Sequence, residues 1–318
     1  MINGIINIHK EKGFTSHDVV AKLRGILRQK KIGHTGTLDP DATGVLPVCL
    51  GKATRVCEFL TDETKTYEAV LLLGKTTDTQ DTSGTTLEEK VVNCTEEELL
   101  EVLKSFEGVQ MQVPPMYSAL KVNGKKLYEL AREGKIVERK ARPVHFYSIT
   151  MLSCALPEAK IRIVCSKGTY IRTLCNDIGE RLGCGGCMKE LIRTRVGNCR
   201  LEDAWHLDEI RELADRWREE EESRDFRTPV PEELLTDAGM LTPVDRIFSD
   251  LPELVLPQAA DALAHNGNRI PWKLTGAADV EAEEVRVYDS QKRFVGVFRR
   301  MEKNRDWKPE KMFYDPEA

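Results

Sequence analysis

The stretch "GHTGTLDPDATGVLPVCLGKATR", residues 33–55, sets Asp39 between two glycine-containing turns and directly before Pro40. Asp and Gly are the default loop residues, and Asp side chains commonly cap backbone N–H groups, so a simple turn is the first reading. Yet three glycines (Gly33, Gly36, Gly44) and two threonines (Thr35, Thr37) shape the backbone around this one carboxylate. Glycine lets another molecule approach the chain closely. The loop by itself leaves two possibilities open: Asp39 makes the turn, or the turn presents Asp39.

Outward from this loop the chain alternates strands and helices irregularly. "GIINIHK" before it alternates apolar and polar residues and predicts a short strand. "TSHDVVAKLRGILRQ" predicts a helix with Ser16 as N-cap and Val19, Val20, Leu23, Ile26 and Leu27 on one face. After it, "GVLPVCLG" predicts a buried segment, "TKTYEAVLLLG" a strand and "TDTQDTSG" a polar turn. "TEEELLEVLKSFEG" predicts a helix capped by Thr95 and stopped by Gly108, and "KLYELAREG" a shorter helix. "AKIRIVCSKGTYIRTLCNDIGERLG" predicts strand, turn and helix, and residues 205–235 a long acidic helix entering a proline-containing linker. From about 240 the texture changes to short strands and turns, with "NGNRI" as a turn, "EVRVYDSQKRFVGVFRRM" as a hairpin and "DWKPEKMFYDP" as a tail. The body is α+β, without the regular alternation of a Rossmann sheet.

Composition narrows the function. At 318 residues the chain fits one large domain and a small one, and 41% hydrophobic with 31% charged residues suits a globular core. Apolar runs such as "AVLLLG" fall far short of the roughly 20 residues of a membrane span. The N-terminus lacks the basic, apolar and small-residue regions of a secretory leader, so a cytoplasmic protein is expected. Nine scattered cysteines suggest reduced thiols, and the lone Cys184-Gly-Gly-Cys187 lacks the second pair of a zinc site. The net charge of −5 hides an uneven spread. Residues 1–60 carry nine basic against five acidic side chains, 118–200 carry 17 against seven, and 201–260 carry six against 17. Two basic blocks keep a phosphate-rich partner open; the run Glu219–Glu222 is expected to be a solvated face.

Two more segments carry candidate chemistry. In "SKGTYIRTLCNDIG", Arg172 is suited to bidentate pairing with a carboxylate, or to a phosphate contact or stray ion pair. In "TKTYEA", Tyr67 is a stacking platform, a proton-transfer phenol or ordinary strand packing. Lys10, His34 and the two Asp residues of "TDTQD" are weaker signals, and His34 has no partner at metal spacing. Walker A, GxGxxG, GxSxG and HExxH motifs are absent, so no cofactor and no metal are expected.

Residues 33–46 match every specified position of the G-H-x-G-x-L-D-P-x-A-x-G-V-L pattern, and the segment resembles the signature of the TruB family, bacterial tRNA pseudouridine-55 synthases. "TKTYEA", "VPPMYSALKVNGKKLYELAREG", "CSKGTYIRTL" and "LTPVDRIFSDLPELVL" with "NGNRI" resemble further motifs of that family in the same order, over about residues 3–275. One departure is Glu11, where the family's first motif has Pro after the Lys. The resemblance implies a pseudouridine-synthase catalytic domain with a mixed, mainly antiparallel sheet over residues 1–235, including a tRNA-gripping insertion at about 118–145 and an acidic linker at about 205–240. It implies a small, mostly β PUA-like RNA-binding domain over 240–318. Asp39 would be the catalytic carboxylate and Arg172 would hold it. Tyr67 would stack on the target base and act in removing its C5 proton. Leu191 would line an apolar pocket, Lys10 would sit near the site, and His34 would hold the RNA loop opened when the base leaves. Asp81 would be an acidic neighbour. The implied partner is the T-arm of tRNA, bound by a monomer that needs no protein partner, membrane or cofactor. A guide-RNA-dependent synthase subunit and a non-catalytic RNA-binding or tRNA-folding protein are the alternatives.

Overall fold

A computed structural model describes residues 1–122, 124–221, 224–275 and 281–314. Strand β1 (Gly4–Lys10) leads into helix α1 (Ser16–Leu27), and β2 (Ile32–His34) and β3 (Thr43–Leu50) bracket the Asp39 loop. Helix α2 (Cys57–Asp62) precedes β4 (Lys65–Leu73), the short pair β5 (Lys75–Thr77) and β6 (Thr86–Glu89), and α3 (Glu96–Ser105). Then come β7 (Gly108–Gln112), the small hairpin β8 (Lys121–Val122) and β9 (Lys125–Lys126), and α4 (Leu127–Arg132). Two long strands, β10 (Arg142–Ala155) and β11 (Glu158–Cys165), lead to α5 (Ile171–Arg181), β12 (Gly186–Val196) and β13 (Cys199–Arg200). Helices α6 (Leu207–Glu219) and α7 (Glu232–Asp237) close this part.

Nine strands form one sheet in the order β1-β3-β12-β4-β11-β10-β7, with β2 on β3 and β13 on β12. All contacts are antiparallel except one: β12 runs parallel to β3 through only two pairs, Ile192 with Thr43 and Arg193 with Gly44. That short seam separates two cores. On one side α1 and α6 pack on β1 and β3, burying Val19, Leu23, Leu27, Ile6, Leu46 and Ile210. On the other, α3 and α5 pack on β4, β10 and β11 over Leu71, Ile161, Ile163, Leu99 and Ile178. Gly44 makes the seam possible: its φ is +104°, and a Cβ there would lie 2.2 Å from the Arg193 carbonyl oxygen.

The local sequence explains the elements. Strand β4 buries every second side chain, from Lys65 and Tyr67 to Leu73, as a period of two requires. The N-cap of α1 is Thr15 rather than Ser16: its hydroxyl accepts from Asp18 N–H at 3.1 Å while the Asp18 carboxylate accepts from Thr15 N–H at 2.8 Å. Ser16 instead starts the helix, and its Oγ accepts from Leu38 N–H at 2.9 Å, next to Asp39. Thr95 and Glu98 form the same reciprocal cap on α3, as the sequence indicated for Thr95.

Between residues 205 and 235 the helix is shorter than expected, ending at Glu219, because its packing stripe stops there and Pro231 already begins the approach to α7. Glu219, Glu220 and Glu221 are exposed; Glu222 lies outside the described residues. Arg218 on this helix is buried and donates to Ile26 O at 2.6 Å, and Arg28 Nε donates to Phe226 O at 2.6 Å. The segment therefore caps the C-terminal end of α1.

Met240 and Leu241 still pack in the first core, and a second sheet begins at β14 (Glu253–Val255). It is followed by α8 (Gln258–His265), α9 (Trp272–Thr275), β15 (Glu284–Tyr288), β16 (Phe294–Arg300) and β17 (Trp307–Met312). The four strands pair in sequence order around Leu254, Val287, Phe298 and Trp307. Phe313 joins this small domain to Ile5, Val56 and Val244. The end of the expected tail, from residue 315, lies outside the described residues.

The seam yields a stability prediction. Gly44→Ala adds a side chain in the left-handed region against the Arg193 backbone, and is expected to destabilise the protein by about 3 kcal/mol. Urea unfolding should show a lower midpoint at unchanged slope; a wild-type midpoint would contradict the close approach of β3 to β12.

Candidate active site

The seam opens into a cleft of about 1080 Å³, with Asp39, Asp81, Arg172 and Leu191 in its wall. Asp39 stands in the loop entering β3. Its carbonyl accepts from Ala42 N–H, which closes the turn through the backbone, while its carboxylate caps none of the loop's N–H groups. Both carboxylate oxygens meet Arg172: Nε lies 3.0 Å from Oδ2, and Nη2 donates to Oδ1 at 3.3 Å. The turn thus presents the carboxylate, whose side chain keeps 39% of its surface open to the cleft.

Arg172 is the second residue of α5 and is buried. Its other N–H groups are also engaged. Nη1 donates to Thr79 O at 3.1 Å and to Asp81 Oδ2 at 3.4 Å, and Nη2 donates to Tyr117 O at 2.7 Å. A guanidinium carries its N–H groups in a rigid fork; here both Nη groups donate two hydrogen bonds each, and Nε lies in ion-pair contact with Asp39. The alternative of a surface phosphate contact is thereby overturned: the group is turned inward and fully used. Gln112 fixes the start of α5, since its amide both accepts from Tyr170 N–H at 2.8 Å and donates to Tyr170 O at 2.9 Å.

Asp81 is fixed from its other side. Oδ1 accepts from Thr79 Oγ1 at 2.7 Å, Ser83 N–H at 3.0 Å and Ser83 Oγ at 2.5 Å. Burial pushes the Asp39 carboxyl above its ordinary pKa; Arg172 pulls it down, and the Asp81 charge pushes it up again. The guanidinium is thus the main group that keeps Asp39 ionised, against its surroundings.

The remaining expected residues lie at different depths. Leu191 on β12 lines the cleft. Tyr67 on β4 does not: it is 9% exposed and packs beneath the cleft floor with Leu38, Ala42 and Leu191. Its phenol is pushed up in pKa by burial, which Arg193 opposes. Lys10 is fully buried and acts as a clamp, with Nζ donating to Phe14 O at 2.6 Å, Glu11 O at 3.0 Å and Pro40 O at 3.1 Å. Burial lowers its pKa to about 8. His34 sits edge-on to His17, a cleft residue, with ring centroids 5.1 Å apart, and its Nδ1 accepts from Gly36 N–H at 3.3 Å. Where the family's first motif has Pro, Glu11 instead places Oε1 2.8 Å from His206 Nδ1.

Sequence reasoning missed Ser16, Gln112, Arg193 and the carbonyls of Thr79 and Tyr117. Lys12, Lys126, Arg132 and Lys189 also line the cleft and outnumber the acidic Asp41 and Glu190 beside them, leaving its rim basic on balance. Lys126 and Arg132 fall in the expected insertion and Tyr117 directly precedes it; Ser16 reads only as a cap and Thr79 only as part of a polar turn, and the others have no local signal.

The N-terminal domain of TruB family pseudouridylate synthases matches residues 24–171, and the C-terminal domain of tRNA pseudouridylate synthase B matches 172–249. A tRNA pseudouridine synthase B from Lachnoclostridium phytofermentans is 48% identical over 98% of this chain and 100% of its own length. One from Bacillus pumilus is 40% identical over 94% of this chain and 93% of its own. Among solved structures, an H/ACA RNP bound to a substrate RNA containing 2'-deoxyuridine superposes with a TM-score of 0.69 at 27% identity, covering 99% of this chain and 86% of that one. A Cbf5-Nop10-Gar1 complex gives 0.68 at 29% identity, covering 98% and 85%. The α+β fold and the site together define a pseudouridine synthase. The chain belongs to the TruB family.

Arg172→Met removes the group that lowers the Asp39 pKa, so a smaller fraction of the carboxyl is ionised at any given pH. The acid limb of the pH–rate profile is expected to move to higher pH, with the plateau rate down by about 10²-fold. Single-turnover rates measured across pH 5–9 check both, and an unmoved limb would separate Arg172 from the ionisation of Asp39.

Proposed function

We propose that the chain, a tRNA pseudouridine synthase, isomerises uridine 55 in the T loop, with Asp39 as the reacting carboxylate. The observation that carries this is the bidentate Arg172–Asp39 pair in the wall of a basic-rimmed cleft. The reaction breaks the N1–C1′ bond, turns the uracil and joins C5 to C1′. A uridine inside a folded RNA loop is out of reach, so it must first flip out, at a cost of a few kcal/mol. Leu191 offers an apolar wall for the turning base. Attack on C1′ and removal of a sugar proton, the two routes open to Asp39, both need it ionised, and Arg172 stabilises that form.

Lys10 holds the loop from below through Pro40 O. Asp81 fixes the far side of the Arg172 fork. Tyr67 closes the floor under the base, and His34 supports the RNA loop from beside His17. The basic rim takes the phosphates of the T-arm, and the small C-terminal domain is a PUA-like second RNA contact. The enzyme is a cytoplasmic monomer that acts without a protein partner.

The fold likeness to H/ACA complexes favours a guide-dependent synthase as the second reading. Relatives named tRNA pseudouridine synthase B at up to 48% identity outweigh it. Purified protein alone, on unmodified tRNA transcript tritiated at uracil C5, discriminates among the readings. Wild type is expected to release tritium, with the product mapping to position 55. Asp39→Asn is expected to lose at least about 10³-fold in rate while binding tRNA nearly as well. Release only on addition of a guide RNA would favour the second reading, and binding without release would leave an RNA-binding protein.

A further expectation concerns the rim. Arg132→Ala is expected to weaken tRNA binding with little change in single-turnover rate, and to lower the salt slope of log Kd by about one unit. Binding titrations from low to moderate salt measure this; an unchanged slope would place the phosphates elsewhere.

A further inference from the structure

Beneath the Asp39 loop lies a second guanidinium that the proposed chemistry does not use. Arg193 on β12 is 2% exposed; its guanidinium donates to two main-chain carbonyls and lies beside the Tyr67 phenol. Nε donates to Val45 O at 2.7 Å and Nη2 to Gly36 O at 3.4 Å. Gly36 precedes Asp39 and Val45 follows it, so one side chain holds both stems of the loop. A buried cation without a carboxylate partner is costly to retain for stability alone.

Its backbone position adds a second constraint. Arg193 is the direct partner of Tyr67 across β4 and β12, and of Gly44 across the parallel seam. Directly opposed residues of an antiparallel pair share a face, with Cβ atoms about 5 Å apart. The Tyr67 ring and the guanidinium are therefore neighbours under the cleft floor.

We propose that Arg193 is a positioning residue of the isomerisation: it fixes the Asp39 loop through Gly36 and Val45 and holds the Tyr67 phenol in register beneath it. The proposal rests on the isomerase reading above. Lysine at this site keeps the charge but loses the planar fork that spans two carbonyls.

The test uses full-length protein and C5-tritiated tRNA. Arg193→Met is expected to lower the single-turnover rate by about 10²-fold with Kd for tRNA changed less than about threefold, as a small displacement of the reacting group predicts. Arg193→Lys is expected to lose about tenfold. In a Tyr67→Phe background the loss on Arg193→Met should shrink, because the two residues act together. Thermal melting verifies folding, and if the Met variant does not fold, the Lys variant decides.

A folded variant with wild-type rate, a loss confined to Kd, or equal losses in both backgrounds would overturn the proposal. So would failure of both variants to fold, which would make Arg193 a core residue only. Wild-type protein that releases no tritium at all would instead bring down the isomerase reading itself.

Discussion

The two-residue parallel contact between β3 and β12 is the constraint on which the rest of the molecule depends. Among the described residues it is the only join within the main sheet between the half covered by α1 and α6 and the half covered by α3 and α5. The cleft lies where this seam ends, between residues 37–43 and 188–192. Asp39 enters from the first half, on the loop leading into β3; Arg172 and Leu191 come from the second, on α5 and β12. The Arg172–Asp39 pair therefore bridges the two halves. Buried ion pairs are weak sources of stability, because desolvation offsets their attraction. Here the value of the pair is geometric: a guanidinium whose Nη groups are also held by Thr79 O, Tyr117 O and Asp81 fixes the carboxylate from the half of the sheet to which the carboxylate does not belong.

The same fork sets the electrostatics. Two carboxylates share one guanidinium, and burial acts against the charge on Asp39. A base entering the cleft displaces water and strengthens both effects, the penalty on the charge and the attraction that opposes it. Because the donors of Arg172 are already oriented by Thr79 O, Tyr117 O and Asp81, little reorganisation is needed when that happens. Lys10 and Ser16 fix the loop backbone on either side of Asp39 in the same manner.

What the sequence made legible was largely what is local. Periodicity located α1 and its buried face, cap and stop residues located α3, strand composition located β4, and the motif around Asp39 marked the loop that carries it. The cap of α1 was misplaced by one residue, because Thr15 and Ser16 are chemically equivalent candidates and only the position of Asp18 selects between them. The depth of each site residue was not legible. Tyr67 and Lys10 are read from motifs that do not say whether a side chain faces the cleft or its underside. Arg193 lies 148 residues from Val45 in the chain, and nothing at either position announces the bond between them. Gln112, on edge strand β7, was silent for the same reason: its partner Tyr170 becomes a neighbour only after β10 and β11 have paired.

The acidic stretch after β13 acquires a role from the same geometry. Arg218 and Phe226 hold the C-terminal end of α1. Ser16, at the other end of that helix, holds Leu38 beside Asp39. At 1.5 Å rise per residue, a helix of 12 residues puts about 18 Å between the two ends. The end of the acidic stretch, at residues 219–221, thus stands by the C-terminal end of α1, while its start reaches the other end, where His206 Nδ1 lies 2.8 Å from Glu11 Oε1. Screening over about 8–10 Å separates the two ends electrically at ordinary ionic strength. The bracing itself is carried by Arg218 and by the Phe226 carbonyl, not by the acidic side chains around them.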